Sequence, residues 1–448
     1  MGTWNGLNNQ PSFNADTMLL LTDGSVMCHE VSSKNWHRLS PDSSGSYING
    51  SWSSLASLPD NAGIPAASGG PTNAPLYFAS AVLGDGTVFV AGGEYNSGNA
   101  NADILTAQIY DPLADAWTAI ATPAGFTGIG DGVSSVLADG RLLLGQFNGN
   151  ATALYDPATQ IWQAGGAKTD SCSEETFTLL PNGNVLTVEC SNSPNAEQYI
   201  PSSNTWVSAG SVGSTLPQAC TGFVAEIGPA LLLPDGRVFA IGATGATALY
   251  TPNADATLAG TWANGPTLQD AGGNTLFPMD APAVLLPNGK VLLTASPGPP
   301  CGYPAPTTFF EYDPSTNVAT IITGPSNNGG PAYEGRLLLL PNGQVLYSNN
   351  SSSVQVYSPG GSAQATWKPS ITNFPSTLIT GHVHVISGTQ FNGLSQACSY
   401  GDDAQMATNY PIVQLSNGAQ VVYLRTSNHS SMGVATGAAS DHERLHPR

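Results

Sequence analysis

Carboxylates stand at one repeated position along this chain. Seven Asp-Gly or Asn-Gly dipeptides, each between two apolar runs, begin at Asp23, Asp85, Asp139, Asn182, Asp235, Asn288 and Asn342. Eight residues before them stand Ala15, Tyr77, Asp131, Glu174, Ile227, Asp280 and Glu334. Four of those seven positions are acidic, where about half a carboxylate is expected from 30 acids in 448 residues. Glu226 adjoins the fifth position and Glu175 the fourth. Carboxylates converging on a narrow site repel, so some must be protonated, paired or bound to metal. Two chemistries use such a set: a carboxyl–carboxylate pair for general acid–base work, and oxygen ligation of a divalent ion. A third reading is structural, with the carboxylates capping strand-entry amides around a wet channel.

The elements that position these groups follow from the repeat itself. Successive turns are 62, 54, 43, 53, 53 and 54 residues apart. Asp-Gly and Asn-Gly are expected to take φ > 0 in a tight two-residue hairpin, so each marks two antiparallel strands. A second signature, Tyr-x-Pro with a downstream Trp, follows most hairpins. Examples are Tyr110-Asp111-Pro112 with Trp117, Tyr155-Asp156-Pro157 with Trp162, and Tyr199-Ile200-Pro201 with Trp206. Later copies are Tyr250 with Trp262, Tyr312-Asp313-Pro314, and Tyr357 with Trp367. Tyr ends a third strand, Pro turns the chain, and Trp lies on a fourth, outer strand. Four strands every fifty residues or so make a blade of a kelch-type propeller. The fold expected is therefore all-β: a seven-bladed kelch-type β-propeller over residues 1–368. The first blade has Trp36 and Trp52 around Ser40-Pro41 but no Tyr, and Trp4 is placed to add a closing strand. Residues 369–440 read as a short, truncated immunoglobulin-like β module, and 441–448 as a disordered tail.

In a propeller, inner-strand entries and second-strand exits open on one face, opposite the Asp/Asn-Gly turns. That face would gather the register carboxylates with Glu30, Glu94 and Glu189. Four cysteines, Cys172, Cys190, Cys220 and Cys301, fall in loops of the same face and allow three disulfide pairings. No C-x2-C spacing supports zinc. Cys28 and Cys398 read as buried thiols or a loop tie.

Composition excludes several partners. The formal charge is −19, from 30 acidic and 11 basic residues, which repels nucleic acid and anionic membranes. No apolar run reaches the ~18 residues needed to cross a bilayer. Met1-Gly2-Thr3-Trp4 does not open a signal peptide and reads as a mature or engineered start. Sparse lysine and six cysteines point to a secreted, extracellular monomer. Neither G-x-S-x-G nor H-E-x-x-H occurs, so serine-hydrolase and zincin chemistry lack a motif.

Motifs such as Leu232-Leu233-Pro234-Asp235-Gly236-Arg237-Val238-Phe239 resemble the galactose oxidase and glyoxal oxidase family. Ser387-Gly388-Thr389-Gln390-Phe391-Asn392-Gly393 and Tyr400-Gly401-Asp402-Asp403 resemble the terminal domain of its bacterial members. The resemblance implies a kelch propeller with a C-terminal immunoglobulin-like domain and a copper–radical site. It sets Tyr77 at the cross-linked tyrosine, Tyr333 at the first member of a Tyr-His pair, and His429 at the terminal-domain ligand. It also sets Ala15 where that site needs cysteine and Glu334 where it needs histidine. A carboxylate favours harder ions than copper. His29 and His37 lie near the first blade, and His382 and His384 alternate on one strand, a spacing that also suits a metal.

The residues alone favour a carbohydrate-active hydrolase that cleaves glycosidic bonds of a polysaccharide or oligosaccharide. Glu334 with Asp280 is the first acid–base pair expected, and Glu174 with Asp131 the second. Tyr77, Tyr333, Glu226, Glu175, Glu189 and Glu94 are expected to bind substrate. The alternatives are a metal-dependent oxidase of alcohols or aldehydes, with calcium or copper on Tyr77, Tyr333, His429 and Glu334, and a glycan-binding lectin. A retaining glycosidase holds its carboxyls about 5–5.5 Å apart and an inverting one about 6.5–9.5 Å.

Overall fold

The structure, a computed structural model, describes residues 2–447 except 101, 222–224, 397–398, 402 and 406–408; of 399–401 and 403–405 it describes the backbone alone. It is all-β, with four one-turn 3-10 helices as the helical content among the described residues. Each Asp/Asn-Gly turn joins the first two strands of a four-stranded antiparallel set. In the first, Ala15–Leu20, Val26–Glu30, Trp36–Ser40 and Ser51–Ser54 follow in order from inside to outside. The innermost strands form a closed circuit. Ala15–Leu20 neighbours Ala79–Val82, then follow Ser134–Val136, Thr178–Leu179, Ala230–Leu232, Ala283–Leu285 and Arg336–Leu339, which returns to Ala15–Leu20. This arrangement is a β-propeller.

The turns are tighter in logic than expected. Only the glycines have positive φ, at 79° to 88°, while the Asp and Asn stay in ordinary backbone space. Each glycine amide closes a turn on the leucine three residues back, as Gly236 N–H does on Leu233 O (2.9 Å). The loop is thus a three-residue type I turn with a left-handed glycine, not a two-residue hairpin. The acid or amide side chain accepts from the backbone N–H two residues on, at 2.9–3.1 Å in all seven turns. That bond is why Asp or Asn is needed there. Gly236→Ala adds a Cβ to open space, so backbone strain alone costs stability. We expect a loss of about 1–2 kcal/mol in urea unfolding; an unchanged midpoint contradicts this reading of the turn.

The Tyr and Trp signatures face each other on adjacent strands: Tyr110 opposite Trp117, Tyr155 opposite Trp162, Tyr199 opposite Trp206 and Tyr250 opposite Trp262. In the first sheet Leu39 takes the tyrosine position opposite Trp52. Three of these indoles then reach out of their own sheet, Trp206 being the exception. Trp117, Trp162 and Trp262 donate to Ala56 O, Ala121 O and Ala209 O at 2.6–3.1 Å, each on the preceding sheet or its exit. The tryptophan is a strut between neighbours. Tyr357, however, faces Trp4 and not Trp367. Thr3–Gly6 is the outer strand of the last sheet, and Trp4 Nε1 donates to Thr323 O at 2.9 Å.

Beyond the propeller, Ser370–Asn373, His384–Thr389, Ser440–His446, Val421–Ser427 and Val413–Ser416 form one five-stranded antiparallel sheet. Residues 441–446 therefore lie in a strand and not in a disordered tail, and Arg448 lies outside the described residues. Ser440–His446 is the central strand, and Asp441, Glu443 and Leu445 alternate inward while His442 and Arg444 face out. Two inward acids hide this pattern in the sequence. Glu443 is paired with buried His429, and Asp441 accepts from Phe391 N–H at 3.1 Å. This sheet docks on the Asp/Asn-Gly face: Thr426 N–H donates to Thr22 O, and Met432 N–H to Ala138 O. A hairpin, Ser399–Gly401 with Asp403–Gln405, runs from it into the ring, where Gln405 pairs in parallel with Ser80 on an innermost strand. No helix among the described residues is long and apolar enough to cross a membrane.

Candidate functional site

Three of the register positions carry side chains on left-handed backbone: Tyr77 (φ 56°), Glu174 (φ 57°) and Asp280 (φ 52°). For non-glycine residues this costs on the order of 1–2 kcal/mol each, a cost met where the entry to a strand is over-determined. The entries are tied together by backbone bonds, for example Asp280 N–H to Ile227 O at 3.0 Å. The register therefore points side chains from different sheets into one axial mouth.

Carboxylate oxygens of Glu174, Glu226 and Asp280 lie within 4.8 Å of one another. Asp131 faces Glu174, and Glu94 and Glu226 are the charges that act on it. Burial, then the Glu94 and Glu226 charges, hold the Asp131 carboxyl well above its ordinary range. Burial likewise pushes Glu226 up. Glu94 is raised to about 7 by burial, then by Glu226 and Asp103. Tyrosines line the other side. Tyr303 Oη donates to Asp280 Oδ2 at 2.8 Å, its ring lies 5.0 Å from Tyr333, and Tyr333 lies 6.3 Å from Tyr77. The Arg336 guanidinium sits 5.8 Å from the Tyr77 ring centre.

Not every expected residue joins this group. Glu334 lies behind Tyr333 near Arg336 and Tyr347, and burial raises its carboxyl while Arg336 opposes the shift. Glu334 is not a member of the Glu174, Glu226 and Asp280 cluster. Glu175, one residue from Glu174, turns the other way into a buried ion pair with Lys168. Glu189 stands in that second network, with Glu197, Lys168 and Asp170 as its neighbours. Glu30 contacts His37 at 3.4 Å away from the cluster. His429 is buried at the far end of the strands, where its backbone N–H meets Gly84 O beside the Asp85-Gly86 turn. It cannot share a metal with Tyr77 and Tyr333. His29 has both ring nitrogens engaged, by Asp16 and by Ser33 O, and His384 Nε2 accepts from Ile379 N–H. Cys220 and Cys301 form a disulfide, whereas Cys28, Cys172 and Cys190 are buried thiols. Cys398 and Asp402 lie outside the described residues.

Asp103, Tyr95, Arg336 and Lys168 escaped the sequence reading. Arg336 carried a weak signal, a lone basic residue opening an innermost strand; the others gave none. A cavity of about 680 Å³ lies on the opposite face among Leu20, Phe391, Tyr410 and Ile412. It is mainly apolar and gathers no comparable chemistry.

A pH dependence follows for the chelator-treated protein. Carboxyls raised toward 7 hold protons that the unfolded chain, with values near 4.3, has released. Between those values unfolding releases protons, so rising pH favours the unfolded state, and the effect is complete above about 7. The expected result is a lower melting temperature at pH 8 than at pH 5 in EDTA. A melting temperature that stays level or rises over that span contradicts it.

No family model matches the chain, and no curated protein matches it. Among solved structures it is similar to a fungal alcohol oxidase of the AA5 family in complex with copper, at 14% identity and TM-score 0.59, over 99% of this chain and 96% of that one. It is also similar to a streptogramin B lyase, at 10% identity and TM-score 0.54, over 80% of this chain and 97% of that one. A catalytically inactive virginiamycin B lyase from Staphylococcus aureus with quinupristin matches at 10% identity and TM-score 0.52, over 80% and 100%. At these identities the likeness is one of fold, and at that level it agrees with a galactose oxidase-type architecture.

Proposed function

We propose that this chain is a secreted, seven-bladed propeller enzyme that oxidises alcohol or aldehyde groups of carbohydrate-like substrates with a divalent metal. The observation that carries the reading is the tyrosine group Tyr77, Tyr303 and Tyr333 beside a cluster of buried carboxylates, on a fold like that of an alcohol oxidase. The glycosidase reading has no comparable support, since the fold likeness is to an alcohol oxidase.

The copper centre that the fold likeness implies does not fit these residues. Ala15 offers no sulfur, Glu334 stands in the imidazole position, His429 is at the opposite face and His29 is fully engaged. No step is therefore derived through copper. The chain's own groups have clear tasks. Tyr303 Oη orients hydroxyl or carbonyl oxygens, and the Glu94 carboxyl, raised to about 7, exchanges protons near neutrality.

The test is oxygen uptake with sugars, polyols and aldehydes after loading with manganese. Turnover is expected, and Tyr333→Phe should lower it at least about tenfold with an unchanged melting temperature. Release of reducing ends from polysaccharide without oxygen uptake overturns the reading in favour of the hydrolase. Glycan binding with neither reaction overturns it in favour of the lectin.

A further inference from the structure

We infer that Glu174, Glu226 and Asp280, with buried Asp131 beside them, bind one hard divalent cation, calcium or manganese. The inference stands on the cluster itself and not on the oxidase reading. Ligand oxygens around calcium lie about 2.3–2.6 Å from the ion, so oxygens of one shell fall within roughly 5 Å of each other. The three carboxylates meet that condition at 4.8 Å. They come from the entries to three successive innermost strands, Thr178–Leu179, Ala230–Leu232 and Ala283–Leu285, so the ring itself sets their spacing.

A second observation points to a ligand. Asp131 is 7% exposed, faces Glu174, and its Oδ1 receives no hydrogen bond. Glu226, also 7% exposed, has Oε2 in the same condition. Each such buried, unsolvated oxygen is destabilising unless a proton or cation meets it. No lysine or arginine among the described residues forms an ion pair with Asp131 or Glu226. The nearby cations are committed elsewhere: Lys168 to Glu175 and Glu197, Arg336 to Asp16 and the carbonyls of Tyr333 and Gly335.

The donor set selects the ion. It is all oxygen, since the neighbouring Cys190 Sγ is turned to the backbone carbonyl of Glu174 (3.1 Å). Carboxylate oxygens suit calcium, magnesium and manganese, whereas copper and zinc favour imidazole or thiolate. Magnesium demands a smaller octahedron and retains water, which suits a crowded, buried group less well.

The experiment uses the full chain, stripped with EDTA, desalted and titrated calorimetrically with calcium, manganese or copper chloride. One equivalent of calcium or manganese is expected to bind and to raise the melting temperature. Glu226→Gln and Asp280→Asn should each weaken binding at least tenfold, while Glu30→Gln leaves it unchanged. Far-UV circular dichroism of each variant separates lost binding from lost folding. Binding that both variants retain overturns the site, as does no calcium or manganese binding at millimolar concentration. Cation binding without oxygen uptake overturns the oxidase reading and leaves the site standing; copper-dependent oxygen uptake with no calcium or manganese binding does the reverse.

Discussion

Lys168→Met is expected to lower unfolding stability by about 3–5 kcal/mol, the cost of stranding one member of a buried ion pair. The Lys168 ammonium is fully shielded from solvent, as is the Glu175 carboxylate it meets. It also lies 3.9 Å from Glu197, donates to Ser171 O at 3.2 Å and sits 5.7 Å from the Trp206 ring centre. Burial is the largest single influence and works against its charge, yet Glu175, Cys172 and Glu197 together outweigh it and the net shift is upward. Without Lys168, Glu175 retains Thr187 Oγ1 at 2.7 Å but has lost its counter-charge. The double variant Lys168→Met with Glu175→Gln should recover more than half of the loss. Guanidinium unfolding of the three proteins measures this. A single-variant loss below about 1 kcal/mol would mean that the pair is solvated and not buried.

Trp4→Ala is expected to cost about 3–5 kcal/mol, as for other large aromatic truncations in packed surroundings. Its ring packs on Tyr357 (4.8 Å), Phe309 (5.2 Å) and Tyr347 (5.8 Å), and its N–H bridges to Thr323 O on the neighbouring sheet's exit. The strand Thr3–Gly6 that bears it closes the circuit of sheets, so its loss also bares an edge of unpaired amides. Trp367→Ala is the control. That residue abuts Gly289 from a one-turn 3-10 helix outside any strand and has, among the described residues, no aromatic ring contact of the kind Trp4 makes, so its truncation should cost less than about 1.5 kcal/mol. If the two variants melt alike, Trp4 is not the partner of Tyr357.

How much of this was legible differs residue by residue. The turn positions were, because an Asx bond to the second amide on and a left-handed glycine are local requirements written into four residues. Even there the turn type was misjudged, since Asp-Gly serves a type I turn with a left-handed glycine as readily as a two-residue hairpin. The tyrosine–tryptophan strut was legible within a sheet and illegible at the closure. There Thr3 pairs with Ser358 from the other end of the chain, and Trp367 lay temptingly near Tyr357 in sequence.

The carboxylates show the same division. The sequence by itself determined that Asp131, Glu174 and Asp280 share one mouth, because a constant offset along a repeated hairpin returns each side chain to the same place. Tertiary structure alone decided which neighbours count. A shift of one residue on a strand entry reverses the side-chain direction, and so Glu226 stands in for Ile227 while Glu175 turns away to Lys168. It decided too that Glu334 stands apart and that His429 lies at the far face, because the docking side of the terminal sheet is a matter of surfaces meeting. Local spacing carries register; the sign and pairing of buried charge depend on what other parts of the chain bring beside it.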